Sequence, residues 1–246
     1  MFGMKALKIL SLVALMAGIS ACTQKTDSLE KTYRMGVSAG DYHAASNALV
    51  LWLNQDSSIQ NWAYDSLAYI HYFYLGGNSD QVRKPKTPLF YAEAGLKRNP
   101  KNTFLREIKA KLLLEQGKDT ASMVMFRDLY DETKDQTYWW DMCFVEMARG
   151  NVMGCDSMVT IALADPKVGD KKVRMEHIAA GVSESVNAKA AYIYLQALML
   201  RGTGDIMASA NALEAALKEE KNFYAAKQSI LDLQRLYAQQ QSRGGK

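Results

Sequence analysis

The chain is poor in the residues that staple, kink or catalyse. It has three cysteines, three histidines and four prolines in 246 residues. Cys143 and Cys155 are separated by eleven residues and no second pair accompanies them. A zinc site wants closely spaced ligand pairs such as C-x2–4-C, so no metal ligands are assigned. His43, His71 and His177 are far apart and share no local motif. HExxH and a phosphate-binding glycine array are missing. Catalysis needs a nucleophile, a base and a group to orient them. The expectation is therefore a protein that is not an enzyme and has no cofactor. Charge of one sign is also scarce. The formal net charge is +4, and without Lys5 and Lys8 it falls to +2. No basic stripe argues for nucleic acid. The Val/Ile/Thr alternation of strands is thin. Alanine, leucine, methionine, glutamine, lysine and glutamate are abundant, and these favour helix.

No apolar run reaches the roughly 20 residues of a membrane-spanning helix. The longest, from about Ile9 to Ile19, is interrupted by Ser11 and Gly18. It follows Lys5 and Lys8 and precedes "ISAC", the order of parts in an export signal. "ISAC" resembles the lipobox of bacterial lipoproteins, with Ile19 where leucine is most usual. That resemblance implies cleavage after residue 21 and a diacylglyceryl thioether on Cys22, usually with an acylated amino group. Several chains anchor stably where one binds only marginally. The plain alternative is a secretory peptide that leaves Cys22 an ordinary thiol. Thr23 stands where aspartate retains many lipoproteins at the inner membrane, so the resemblance favours the outer membrane, facing either side. Residues 22–27 read as a tether, within the polar stretch Thr23–Glu30.

The rest of the chain repeats itself. A helical run, a glycine, about four residues and a second helical run recur around Gly40, Gly117, Gly150 and Gly204. Gly117 and Gly150 are 33 apart. These units resemble the tetratricopeptide repeat, two antiparallel helices in about 34 residues. Trp139 and Met142 fit its Trp and Leu slots, and Cys143 its small Gly slot. Glu146 departs from the Tyr slot. Cys155, Val159 and Ala162 fit the Ala, Phe and second Ala slots, and Pro166 closes the unit. Ala110, Ser122 and Phe126 fill the corresponding positions one unit earlier, with Lys109 departing from Leu. Ala197 and Ser209 do so in the last unit. The second helix pair, about Gln60–Leu75 and Thr87–Arg98, is split by "GGNSDQVRKPKTP". An extra helix is expected near Lys171–Ser183. Residues 222–241 form an amphipathic cap of the kind a solenoid needs, and 242–246 a flexible tail. The implied fold is all-α: a right-handed superhelix of about five helix pairs over residues 28–221, closed by that cap.

In this family the first helices line a concave face that takes a peptide or a partner helix. The frame puts Tyr69, Tyr72, Glu107, Lys111, Trp140, Phe144, Tyr194 and Leu198 on it, with a place in the core as the alternative for each. The two cysteine slots face each other where the paired helices approach most closely. In an exported protein that makes Cys143–Cys155 a candidate disulfide, two packed small thiols being the alternative. The resemblance as a whole implies a lipid-anchored envelope adaptor for a protein or peptide partner, in assembly or positioning of an outer-membrane complex. The rival is a lipoprotein that binds glycan or peptide nutrients.

Overall fold

The computed structural model describes residues 26–76, 86–177 and 182–244. The export signal and Cys22 lie outside them. Helix pairs dominate. In chain order they are α1 (26–39) with α2 (Tyr42–Gln55), α3 (Gln60–Tyr69) with α4 (Lys86–Arg98), and α5 (Thr103–Glu115) with α6 (Asp119–Thr133). Then come α7 (Gln136–Ala148) with α8 (Val152–Leu163), α9 (Ala188–Gly202) with α10 (Ile206–Glu219), and a terminal helix α11 (Tyr224–Gly244). The chain forms two compact units, divided within α5 between Ile108 and Lys109.

One turn design makes four of the pairs. Gly40, Gly117, Gly150 and Gly204 all have φ between 71° and 87°. That left-handed conformation costs other residues about 1–2 kcal/mol. In each turn the residue after the glycine donates its N–H back five positions. Asp41 reaches Gly36, Lys118 reaches Leu113, Asn151 reaches Glu146 and Asp205 reaches Leu200, at 2.8–3.0 Å. This is the Schellman closure of a helix C-terminus. The same residue then starts the next helix. The side chains of Asp41, Asn151 and Asp205 accept from the N–H three residues on, which satisfies one orphan donor of the new helix. Lys118 alone among the four has no capping side chain.

The small slots hold the paired helices close. Ala110 and Ser122 are both fully buried, and Ser122 Oγ donates to the Ala110 carbonyl at 2.8 Å. Ser209 does the same to Ala197, also at 2.8 Å. In α1 a Cβ on Gly36 would meet the Ala45 backbone nitrogen at 2.7 Å. The first unit has a core of Leu49, Trp52, Ile59, Ala63 and Leu67. In the second unit Phe126, Leu129 and Val145 are fully buried beside Met142. A larger cluster there joins Cys143, Cys155, Val159, Tyr192, Leu195, Leu213 and Phe223.

Three expectations are corrected. Helix already runs from residue 26, into the stretch expected as a tether. Leu29 and Tyr33, one helical turn apart, pack on the first unit's core. The tail is helical to Gly244; no proline interrupts it. The largest correction is at Lys171–Ser183, where a β-hairpin replaces the expected helix. β1 (Lys172–His177) pairs antiparallel with β2 (Val182–Asn187), with Val173 opposite Val186. Val173 and Met175 are buried while Lys172 and Arg174 are exposed. That two-residue period belongs to a half-buried strand, and it overrides the helix propensity of the individual residues.

Candidate functional site

In the second unit the hairpin packs on first helices. The Arg174 N–H donates to Thr137 Oγ1 of α7 at 3.1 Å. Glu176 of β1 pairs with Lys111 of α5 at 3.1 Å, the two side chains 11% and 15% exposed. On β2, Glu184 works in two directions. Its carboxylate accepts from the backbone N–H groups of Tyr224 at 2.8 Å and Ala225 at 3.2 Å. These are the first donors of α11, so the hairpin caps the terminal helix, with a negative charge at the positive end of its dipole. The same carboxylate meets His177 Nε2 at 2.5 Å, and the His177 ring lies 5.3 Å from Tyr224.

The residues assigned to the groove divide accordingly. Trp140 and Phe144 stack with ring centroids 5.5 Å apart and planes 14° apart. Phe144 is 36% exposed on a helix whose neighbouring positions Met142, Cys143 and Val145 are buried. Trp140 is half-buried, and its Nε1 has no hydrogen-bond partner among the described residues. Lys111 is engaged by the hairpin and is no open cation. Tyr194 donates or accepts at Ser229 Oγ, 3.3 Å away, and its ring lies 5.1 Å from Phe223. It holds α9 to the terminal segment. Leu198 is half-buried against the large core cluster.

In the first unit Tyr69 is half-buried, its ring 5.3 Å from Phe73 and 5.8 Å from Phe104. Tyr72 and Glu107 are corrections: each is only 4% exposed and lines no open surface. For Tyr72 the reason is local. After Tyr69 the helix widens into a π-turn, Ile70–Tyr74, with Leu75 N–H bonded to Ile70 C=O at 2.9 Å. The wider turn breaks the 3.6-residue period on which the frame rests. His71 inside that turn is packed, with Nε2 2.8 Å from Ser46 Oγ. Burial pushes its pKa down, and nearby His43 adds to this.

Cys143 and Cys155 are free thiols, both fully buried in one cluster. The proposed disulfide is not formed. They occupy the slots that Ala110 and Ser122, and Ala197 and Ser209, fill in neighbouring pairs, so a compact side chain is what the position requires. Burial pushes both thiols up, Cys155 to about 11 with help from Asp156 and Glu146. A thiol so raised is a poor nucleophile at neutral pH. Among the described residues no cluster of three or more His, Cys, Asp or Glu could hold a metal ion. None of their helices is long and apolar enough to cross a membrane.

No protein-family model matches the chain, and none of the curated proteins matches it. Solved structures do. A tetratricopeptide repeat protein from Parabacteroides merdae superposes with TM-score 0.58 at 16% identity, over 87% of this chain and 74% of its own. The MamA RS-1 double mutant does so at 0.56 and 11%, over 82% and 97%. A thermophilic tetratricopeptide repeat protein from Thermus thermophilus gives 0.54 at 12%, over 83% and 98%. At these identities the likeness shows the fold: an all-α tetratricopeptide-type repeat, here carrying a hairpin.

Proposed function

We propose that the chain is a lipid-anchored adaptor of the bacterial envelope. Cys22 holds it to the membrane, by preference the outer one, and a protein or peptide partner binds the first-helix face of the second unit. Its task is the assembly or positioning of an outer-membrane complex. The observation that carries this reading is the Trp140–Phe144 stack, a rigid aromatic pair half open to solvent. Such anchors concentrate binding energy at protein interfaces, because they bury large area at low entropic cost.

Crosslinking and capture from native membranes tests it, with wild-type chain and Phe144→Ala side by side. One stoichiometric protein partner, lost with Phe144→Ala, supports the adaptor. Thermal stabilisation by a glycan or free peptide with no protein captured favours the nutrient-binding rival. The anchor is tested separately: Cys22→Ser is expected to release the chain from the membrane fraction or stall its processing. A Cys22→Ser chain that matures and stays membrane-bound refutes the anchor.

A further inference from the structure

We propose that the outer edge of β2 docks an extended, acidic segment of a partner polypeptide, which joins the hairpin as a third strand. This rests on the partner-binding reading above and supplies its bonding mode. In an antiparallel pair, residues alternate between bonding the partner strand and turning their backbone groups away from it. The register places Lys172 opposite Asn187, Arg174 opposite Ser185 and Glu176 opposite Ser183. Two outward bonds fix the phase. The Arg174 N–H leaves the ladder for Thr137 on α7, and the Asn187 N–H leaves it for Glu220, 3.4 Å away. Ser183 and Ser185 share that phase, so their N–H and C=O groups also point outward. Both residues are exposed, and these groups have no partner among the described residues.

The edges differ in consequence. On β1 the outward N–H of Arg174 is bonded to a helix. β2 ends at Asn187 in a bonded group and leaves two donors and two acceptors open before it. Natural edge strands are blunted with proline, lysine or a bulge. "VSESVN" has none of these; its one charged side chain, Glu184, is engaged by His177 and the start of α11, and serine lets a second backbone approach. The donors and acceptors recur every second residue, about 6.7 Å at the usual rise. An extended chain matches that spacing, whereas a helix consumes its own backbone groups. Charge selects the kind of chain. Lys172 is 58% exposed but paired with Glu220 at 3.5 Å, so the charge that selects a partner comes from two other lysines. Lys221 lies in the turn that Glu220 and Tyr224 tie to β2, and Lys227 is exposed in the first turn of α11. The nearby carboxylates are engaged, Glu220 by Lys172 and the Asn187 N–H, Glu184 by His177 and the start of α11. A second copy would bring the same lysines to this edge, so an acidic chain is favoured over self-pairing.

The probe is a fluorescent heptapeptide of alternating glutamate and valine, titrated against the full lipidated chain in detergent and read by anisotropy. Ser185→Pro removes one outward donor and leaves the ladder intact, because that N–H does not pair with β1. It is expected to weaken binding about tenfold, the scale of one hydrogen bond. Ser185→Ala keeps the donor and is expected to bind like wild type. A peptide with lysine for glutamate is expected to bind at least tenfold more weakly. Amide exchange at Val173 and Val186 reports whether the hairpin persists. Equal binding by wild type and Ser185→Pro, with the hairpin intact, overturns the proposal. So does self-association that Ser185→Pro abolishes while no peptide binds. If Phe144→Ala loses the captured partner and Ser185→Pro keeps both partner and peptide, the adaptor stands and the edge falls. If the peptide binds the edge and no envelope protein is captured, the edge stands and the adaptor falls.

Discussion

Lys118→Asn is expected to stabilise the protein. Lys118 opens α6 with φ −93° and ψ 54°. Asp41, Asn151 and Asp205, at the same place in their turns, have φ between −85° and −81° and ψ between 68° and 78°. Their side chains reach the N–H three residues on; the lysine at 118 cannot accept a hydrogen bond. Its side chain is exposed, so replacing it gives up no packing. Gaining an N-cap contributes about 1 kcal/mol, within a range of roughly 0.5–2. Removing a cation from the positive end of α6 adds about 0.3–1 kcal/mol. At about 2–4 °C per kcal/mol for a chain of this size, the midpoint of thermal unfolding rises by several degrees. Circular dichroism melts of wild type, Lys118→Asn and Asp205→Ala measure it. Asp205→Ala is expected to lose about as much as Lys118→Asn gains. An unchanged Lys118→Asn beside a destabilised Asp205→Ala would refute the equivalence of the turns. If neither moves, the capping account itself fails.

In the native protein Cys143 and Cys155 are expected to resist maleimide at pH 7, and each to take one label after denaturation. Intact mass with and without reductant checks this, and a two-dalton deficit abolished by reductant would establish the disulfide instead. Stability is expected to fall as pH drops below the ordinary histidine value of 6.5, because burial holds His71 lower in the folded state and the unfolded chain binds the extra proton. Urea titrations at pH 7.5 and 5.5 should show that loss shrinking in His71→Gln; an undiminished loss would assign it elsewhere. Glu184→Gln keeps the shape of the α11 cap and removes its charge. It is expected to cost about 1–2 kcal/mol and to speed amide exchange at Tyr224 and Ala225, while unchanged exchange there would show that the carboxylate does not hold the helix.

The parts of the fold legible in the sequence are those fixed by local chemistry. A glycine followed by Asp, Asn or Lys, with small residues seven positions before and five after the glycine, locates a turn and its closest helix contact without reference to the rest of the chain. Ala110 with Ser122, and Ala197 with Ser209, could be read for that reason. The hairpin is not legible locally, because lysine, arginine, methionine and glutamate favour helix one by one, and the alternation that decides the matter spans only six residues. Burial of Val173 and Met175 depends on α7 and α9, which no local reading contains. The groove positions depend on distant packing in the same way. Tyr72 turns inward because of a π-turn that no residue announces, and Lys111 is engaged by a glutamate 65 positions away. The alternation of Lys172 to Met175 was the available signal.

Spacing between the turn glycines records where the chain has grown. Gly150 and Gly204 are 54 positions apart, 21 more than Gly117 and Gly150. The surplus is the hairpin and its approach. Its ends meet, for the Ala188 N–H donates to the Lys171 carbonyl at 2.9 Å. A segment that leaves and re-enters at one point behaves as a cassette. Lengthening it between β1 and β2 leaves the phase of α8 against α9 unchanged, whereas excising it uncovers the core that Val173, Met175 and Val186 close and removes the Glu184 cap of α11.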